Sequence, residues 1–127
     1  IYMHSDCVYS ESTVQTLKEL DQYAPRGEEG HIFIAAIDGC SGNLALIRQG
    51  ATDQASGQPI PDFGSMVVEY IQKKLNGEAI EEGQVVQEGA LWSPAQLKMT
   101  DVGFQLFLST TDISIDNIDN PGLWGNQ

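Results

Sequence analysis

Three short segments carry the side chains best suited to chemistry: "HSDC" at His4–Cys7, "IDGC" at Ile37–Cys40 and "SGQP" at Ser56–Pro59. Ser5, Asp6, Asp38 and Gln58 offer a hydroxyl, two carboxylates and an amide, all able to bond hydroxyls. Such a set suits a polyhydroxylated ligand such as a sugar. A covalent mechanism can also be drawn, from His4, Ser5, Asp6, Cys7 and His31. It lacks a G-x-S-x-G elbow. His31 should also open a strand at the far end of the sheet, out of hydrogen-bond reach of any nucleophile among the others. Asp38 as a phosphoacceptor would want an acidic cluster, a metal and a lysine on a late strand, and no late strand ends in a suitable lysine. "GCSGN" matches neither dinucleotide nor P-loop spacing. No EF-hand loop or His/Cys zinc spacing occurs. The catalytic readings are therefore the weaker ones, and no cofactor and no metal are expected.

Each site residue also has a plainer reading. An aspartate between a strand and a helix is often an N-cap or turn former, and Asp6 is read that way first. Asp38 precedes Gly39, which lets backbone approach closely, so turn and ligand roles stand level there. Gln58 reads equally as ordinary loop surface. Trp92 and Trp124 are assigned to packing.

These tips need elements to hold them. Ile1–Ser5 is a short apolar run. Val14, Leu17 and Leu20 recur with helical spacing in Ser10–Tyr23, and "APRGEEG" ends that helix. His31–Ile37 is apolar nearly throughout, as in parallel strands covered on both faces. "SGNLALIRQG" reads as a short helix with Gly50 past its end. Asp53–Ser56 reads as a third strand. "DFGSMVVEYIQKKLNG" is the clearest helix, with Phe63, Val67, Ile71 and Leu75 every four residues and its charges matched to the helix dipole. The order β-α-β-α-β-α implies an α/β fold: a parallel sheet with helices on both faces and right-handed crossovers. Ligands bind beyond the carboxyl ends of such strands, where His4–Asp6, Asp38–Gly39 and Gln58 fall. Later residues are mixed. Gln84–Gln87, Phe104–Ser109 and Asp112–Ile115 read as short strands. Ser93 reads as the cap of a helix through Met99, with Pro94 at its first position.

The chain has 127 residues, with 18 acids against 6 bases and a formal charge of −12. That balance argues against nucleic-acid binding and against docking on an anionic membrane. The acids are scattered, as on a solvated surface. No stretch approaches the ~18 apolar residues of a membrane span. The opening "IYMHSD" reads as the middle or end of a strand, so a processed or truncated product is expected.

"IYMHSD", "AAIDGCSGNLALIRQG", "SGQPIPDFG…YIQKKLNGE" and "DNIDNPGLWGN" together resemble, in order and spacing, the C-terminal half of type I periplasmic sugar-binding proteins. These are the solute receptors of ABC importers, and they are related to the sugar-effector domains of LacI-type regulators, which form the alternative reading. The closing "NIDNPGLWGN" favours the receptors. The resemblance implies that residues 1–89 form most of one α/β lobe, incomplete, and that 90–127 hold an insertion and the C-terminal return or hinge segment. The family's Asp-Gly corresponds to Asp38-Gly39 and its ligand-contacting Gln to Gln58. Its Asn-Asp corresponds to Ser5-Asp6, so Ser5 departs from the usual ligand-binding Asn. The stretch from about Ala90 to Phe104 departs from the family pattern. Expected partners are a monosaccharide-type sugar and an ABC permease in the membrane, with no nucleic acid. Location would be periplasmic or extracellular. A sheet edge left exposed would favour a homo-oligomer. A chain carrying one lobe would bind sugar weakly or not at all on its own. In the resembling fold the first two strands are parallel neighbours, which brings Cys7 and Cys40 within disulfide range in an oxidising compartment.

Overall fold

The computed structural model describes residues 1–127. Its elements in chain order are β1 (Tyr2–Met3), α1 (Asp6–Glu19), β2 (Ala35–Asp38), α2 (Ser41–Arg48), β3 (Gln54–Gly57), α3 (Ile60–Leu75), β4 (Gly83–Val85), β5 (Ala95–Thr100), β6 (Gly103–Phe107), β7 (Thr111–Ile113) and a 3₁₀ turn at Trp124–Asn126. They form two compact units, Ile1–Gln58 with Thr111–Gln127, and Pro59–Thr110.

The first unit is built on a sheet ordered β1-β2-β3-β7. β1, β2 and β3 are parallel, and β7 runs antiparallel to β3. The sheet is therefore mixed: parallel where βα units repeat, closed by an antiparallel return strand. One pleat row crosses all four strands, pairing Met3 with Ala36, Ala36 with Ala55, and Ala55 with Ile113. Every member of that row is buried. The small residues at its centre leave room for α1 and α2, which pack on each other. Two right-handed crossovers in one direction put both helices on the same face. Val14 and Leu17 of α1 and Leu44 and Ile47 of α2 are buried there. Leu44 and Ile47 are each fully buried, and each contributes about 1.5–3 kcal/mol of transfer free energy.

Helices on both faces were expected, and within this unit one face has them. The alternate pleat positions are open: Tyr2 is 70% exposed, and Ala35, Ile37 and Ser56 are half-buried. β2 is also shorter than the apolar run implied. Ile34 is buried, but its N–H is taken by the Asp53 carboxylate at 2.8 Å instead of by a neighbouring strand, and Phe33 turns outward.

The second unit contains α3 and an antiparallel sheet ordered β4-β5-β6. The helix expected from Ser93 to Met99 is strand β5 instead. Alternation decides it: Ala95 and Leu97 are buried, while Lys98 is exposed, a period of two that a helix cannot satisfy. Pro94, read as a helix-opening residue, follows a cis peptide bond and precedes the strand. The four-residue apolar period of α3 does give a helix, yet none of its residues is buried. Phe63, Val67 and Ile71 line an apolar groove of about 550 Å³ with Leu97, Phe104 and Leu106.

Candidate functional site

The parallel strands of the first unit end side by side, and their tips carry the predicted residues. β1 runs out at Met3, β2 at Asp38 and β3 at Gly57, with Asp38 paired to Gly57 in register. Ser5, Asp38 and Gln58 are thereby gathered. The Ser5 hydroxyl donates to Asp38 Oδ2 at 2.6 Å. The backbone N–H of Gln58 donates to the Asp38 carbonyl at 3.0 Å. All three residues are half-buried, so they are held by the fold and still face solvent. Asp38 Oδ1 and the Gln58 side-chain amide take no hydrogen bond from the chain.

Asp38 has a φ of 112° and Gly39 one of 88°. The first is a rare conformation for a residue with a Cβ, costing on the order of 1–3 kcal/mol. The second needs glycine for a further reason: a Cβ on Gly39 would lie 2.7 Å from Ile113 Cδ1. The chain thus reverses sharply at the strand tip, and the carboxylate is aimed by the backbone as well as by Ser5.

Asp6 sits beside this group but serves another end. It is 3% exposed. Its carboxylate accepts the N–H groups of Gly39 at 2.8 Å and Cys40 at 3.0 Å, and the Asn43 amide at 3.0 Å. Asn43 in turn accepts the Thr52 hydroxyl at 2.9 Å. Asp6 therefore ties up the loose donors at the start of α2, a capping role exerted across 33 residues of chain. Burial raises its pKa, partly offset by those backbone and Asn43 hydrogen bonds. No carboxylate oxygen of Asp6 is left without a protein donor.

Cys7 and Cys40 form a disulfide, with Cα atoms 5.3 Å apart. It staples the first turn of α1 to the residue before α2, next to Asp6 and one residue beyond Gly39. Asp6, Cys7 and Cys40 bring three metal-ligand atoms within 4.8 Å of one another. With both sulfurs bonded to each other, neither is a thiolate, the form that binds metal. The nucleophile–base set drawn from the sequence is also dispersed. Cys7 is oxidised. His31 is held at the opposite ends of the strands, its ring nitrogens 2.8 Å from Ala24 O and 2.9 Å from Asp53. The His4 ring lies against Tyr9, centroids 4.9 Å apart.

One participant was not legible. Trp124, read as packing, donates its indole N–H to the Asp38 carbonyl at 2.8 Å. Only the tail's return to the sheet beside β3 reveals it, because the partners are 86 residues apart. Asn43 and Thr52 were missed for the same reason, each being an ordinary polar residue until Asp6 is placed beside them.

No helix is long and apolar enough to cross a membrane. No protein-family model matches the chain, and no curated protein matches it.

Proposed function

We propose that the chain is the sugar-recognising part of a solute receptor for an ABC importer, with the type I periplasmic sugar-binding lobe as its fold. The carrying observation is Asp38 at the β2 tip. One carboxylate oxygen is oriented by Ser5 at 2.6 Å, the other accepts no hydrogen bond from the chain, and Gln58 is tied to the same tip through its backbone N–H, 3.0 Å from the Asp38 carbonyl. A sugar hydroxyl both donates and accepts. It can donate to Asp38 Oδ1 while a neighbouring hydroxyl bonds the Gln58 side chain. In this reading Ser5 orients Asp38, and Asp6 holds the loop that carries it. A second lobe would close on the opposite side of the sugar, shifting the population toward the closed state because only that state makes both sets of contacts. An ABC permease would receive the closed receptor.

The disulfide favours the exported receptor over the effector domain of a regulator, since disulfides persist in oxidising compartments and are rare in the cytosol. A periplasmic or extracellular site belongs to the same proposal.

The test is saturation-transfer NMR with a panel of pentoses, hexoses and polyols at millimolar concentration. One or more should give ligand signal that Asp38→Ala abolishes while leaving the fold intact. Absence of signal from every sugar, or signal unchanged by Asp38→Ala, would contradict the proposal.

A further inference from the structure

We infer that Trp124 is a positioning residue for Asp38, so that the C-terminal tail sets the geometry of the binding tip. The inference rests on the sugar-binding reading for its functional meaning, and on the following geometry for its structural content.

The Asp38 carbonyl accepts two hydrogen bonds, from the Gln58 N–H at 3.0 Å and from Trp124 Nε1 at 2.8 Å. Two donors on one carbonyl fix the plane of the Asp38–Gly39 peptide. That peptide joins two residues with φ of 112° and 88°, conformations that need outside support at the aspartate. With the peptide plane fixed, the Asp38 side chain is directed toward Ser5. Without the indole, Asp38 can relax toward ordinary backbone angles, and its carboxylate turns away.

The tail is built to bear this load. Arg48, at the end of α2, donates to Asp119 Oδ1 at 2.9 Å, to the Ile118 carbonyl at 3.1 Å and to Asn126 Oδ1 at 3.0 Å. Asn126 donates back to the carbonyls of Ile118 and Asn120 at 2.8 and 2.9 Å. Ile118 and Leu123 are buried. The turn is also seated closely on the tip. A Cβ on Gly125 would lie 2.8 Å from Leu44 Cδ1 and 2.9 Å from the Ser41 nitrogen. A Cβ on Gly39 would lie 3.7 Å from the indole nitrogen itself. Gly125 is what lets the tail seat against the tip.

Trp124→Phe keeps the aromatic volume and removes the N–H. In ¹H–¹⁵N NMR the amides of Asp38, Gly39 and Gln58 should move, and sugar affinity should fall about three- to tenfold, measured well below the melting temperature so that stability does not enter. If the variant folds with those amides unmoved, or binds sugar as tightly as the parent, the inference is overturned while the sugar reading stands. If the parent binds no sugar and the tip amides still move in Trp124→Phe, the positioning role is upheld and only the sugar reading fails. Should Trp124→Phe not fold, the parent's own indole resonance decides. The Trp124 Nε1 proton should be slow to exchange and should shift in Asp38→Ala, with Trp92, the only other tryptophan, as the internal control. Free exchange, or no shift, overturns the inference.

Discussion

The sheet of the first unit carries a carboxylate cluster at each end, and the two are built to opposite purposes. At the amino ends of the strands, Asp53 is 6% exposed. It accepts from Arg26 Nε at 3.0 Å, from His31 Nε2 at 2.9 Å and from the Ile34 N–H at 2.8 Å. Arg26 also donates to the Thr52 carbonyl. At the carboxyl ends, Asp38 is half-buried, held through one oxygen by Ser5 alone and through its own backbone by Gln58 and Trp124. Both are acids beside a β-strand. One is saturated with protein donors and charge partners, and the other keeps acceptor capacity open in a strained backbone. The difference separates an acid that holds the fold from one available to a ligand.

That contrast predicts unequal costs for removing each acid. Asp53→Ala leaves Arg26, His31 and the Ile34 N–H without their shared acceptor. It should lower stability by roughly 3–5 kcal/mol, read as a shift in urea midpoint. Asp38→Ala removes a single side-chain hydrogen bond and should cost no more than about 1 kcal/mol. Equal losses would erase the distinction between the two ends.

The disulfide comes next in size. It closes a loop with a sequence separation of 33, for which chain entropy gives about 3–4 kcal/mol. Reduction, or the double change Cys7→Ser with Cys40→Ser, should lower the urea midpoint accordingly. Because the staple lies beside Asp6 and Gly39, the amides at the β2 tip should broaden or move more than those around Asp53. A uniform response at both ends would blunt the comparison.

Smaller effects come from pH. His31 is raised above the ordinary histidine value, first by its hydrogen bond to the Ala24 carbonyl, then against the cost of burial by Asp53. A raised histidine stabilises the fold fully below its unfolded value, and that stability is lost as pH rises through the folded one. Burial acts to raise Asp53, but hydrogen bonds from Ile34, Arg26 and His31 outweigh it and hold the carboxyl low. Its contribution is present above the ordinary carboxylate value and is lost as pH falls through the depressed one. Melting temperatures should therefore decline on both the acid and the alkaline side. His31→Gln should flatten the alkaline limb and also shrink the acid one, since His31 is among the groups that hold Asp53 low. An alkaline limb unchanged in His31→Gln would remove histidine from the account.

Much of this fold is legible in residue spacing. Val14 with Leu17, and Leu44 with Ile47, mark the inward faces of α1 and α2, and both pairs are buried. The three strand tips follow from the βα order. The pairing of Cys7 with Cys40 comes from the family resemblance, in which the first two strands are parallel neighbours, and not from spacing. What spacing does not carry is context beyond the local element. "AQLKMT" after Ser-Pro satisfied a helix-start pattern and became β5, because pairing with β4 and β6 overrides a weak local preference. The apolar face of α3 announced a helix without saying whether anything would cover it. Asp6 was recognised as a capping type, but not as the cap of a different helix. Trp124 stayed invisible as a site residue because its partner is a backbone carbonyl, which no side-chain pattern encodes.

The most direct measurement is a backbone-amide NMR titration of the chain with a sugar from the panel, carried out on the parent and on Asp38→Ala. The account predicts saturable shifts at Ser5, Asp38, Gly39 and Gln58, none around Arg26, His31 and Asp53, and loss of all of them in the variant. Shifts centred on the Asp53 end, or a response that survives Asp38→Ala, would contradict it.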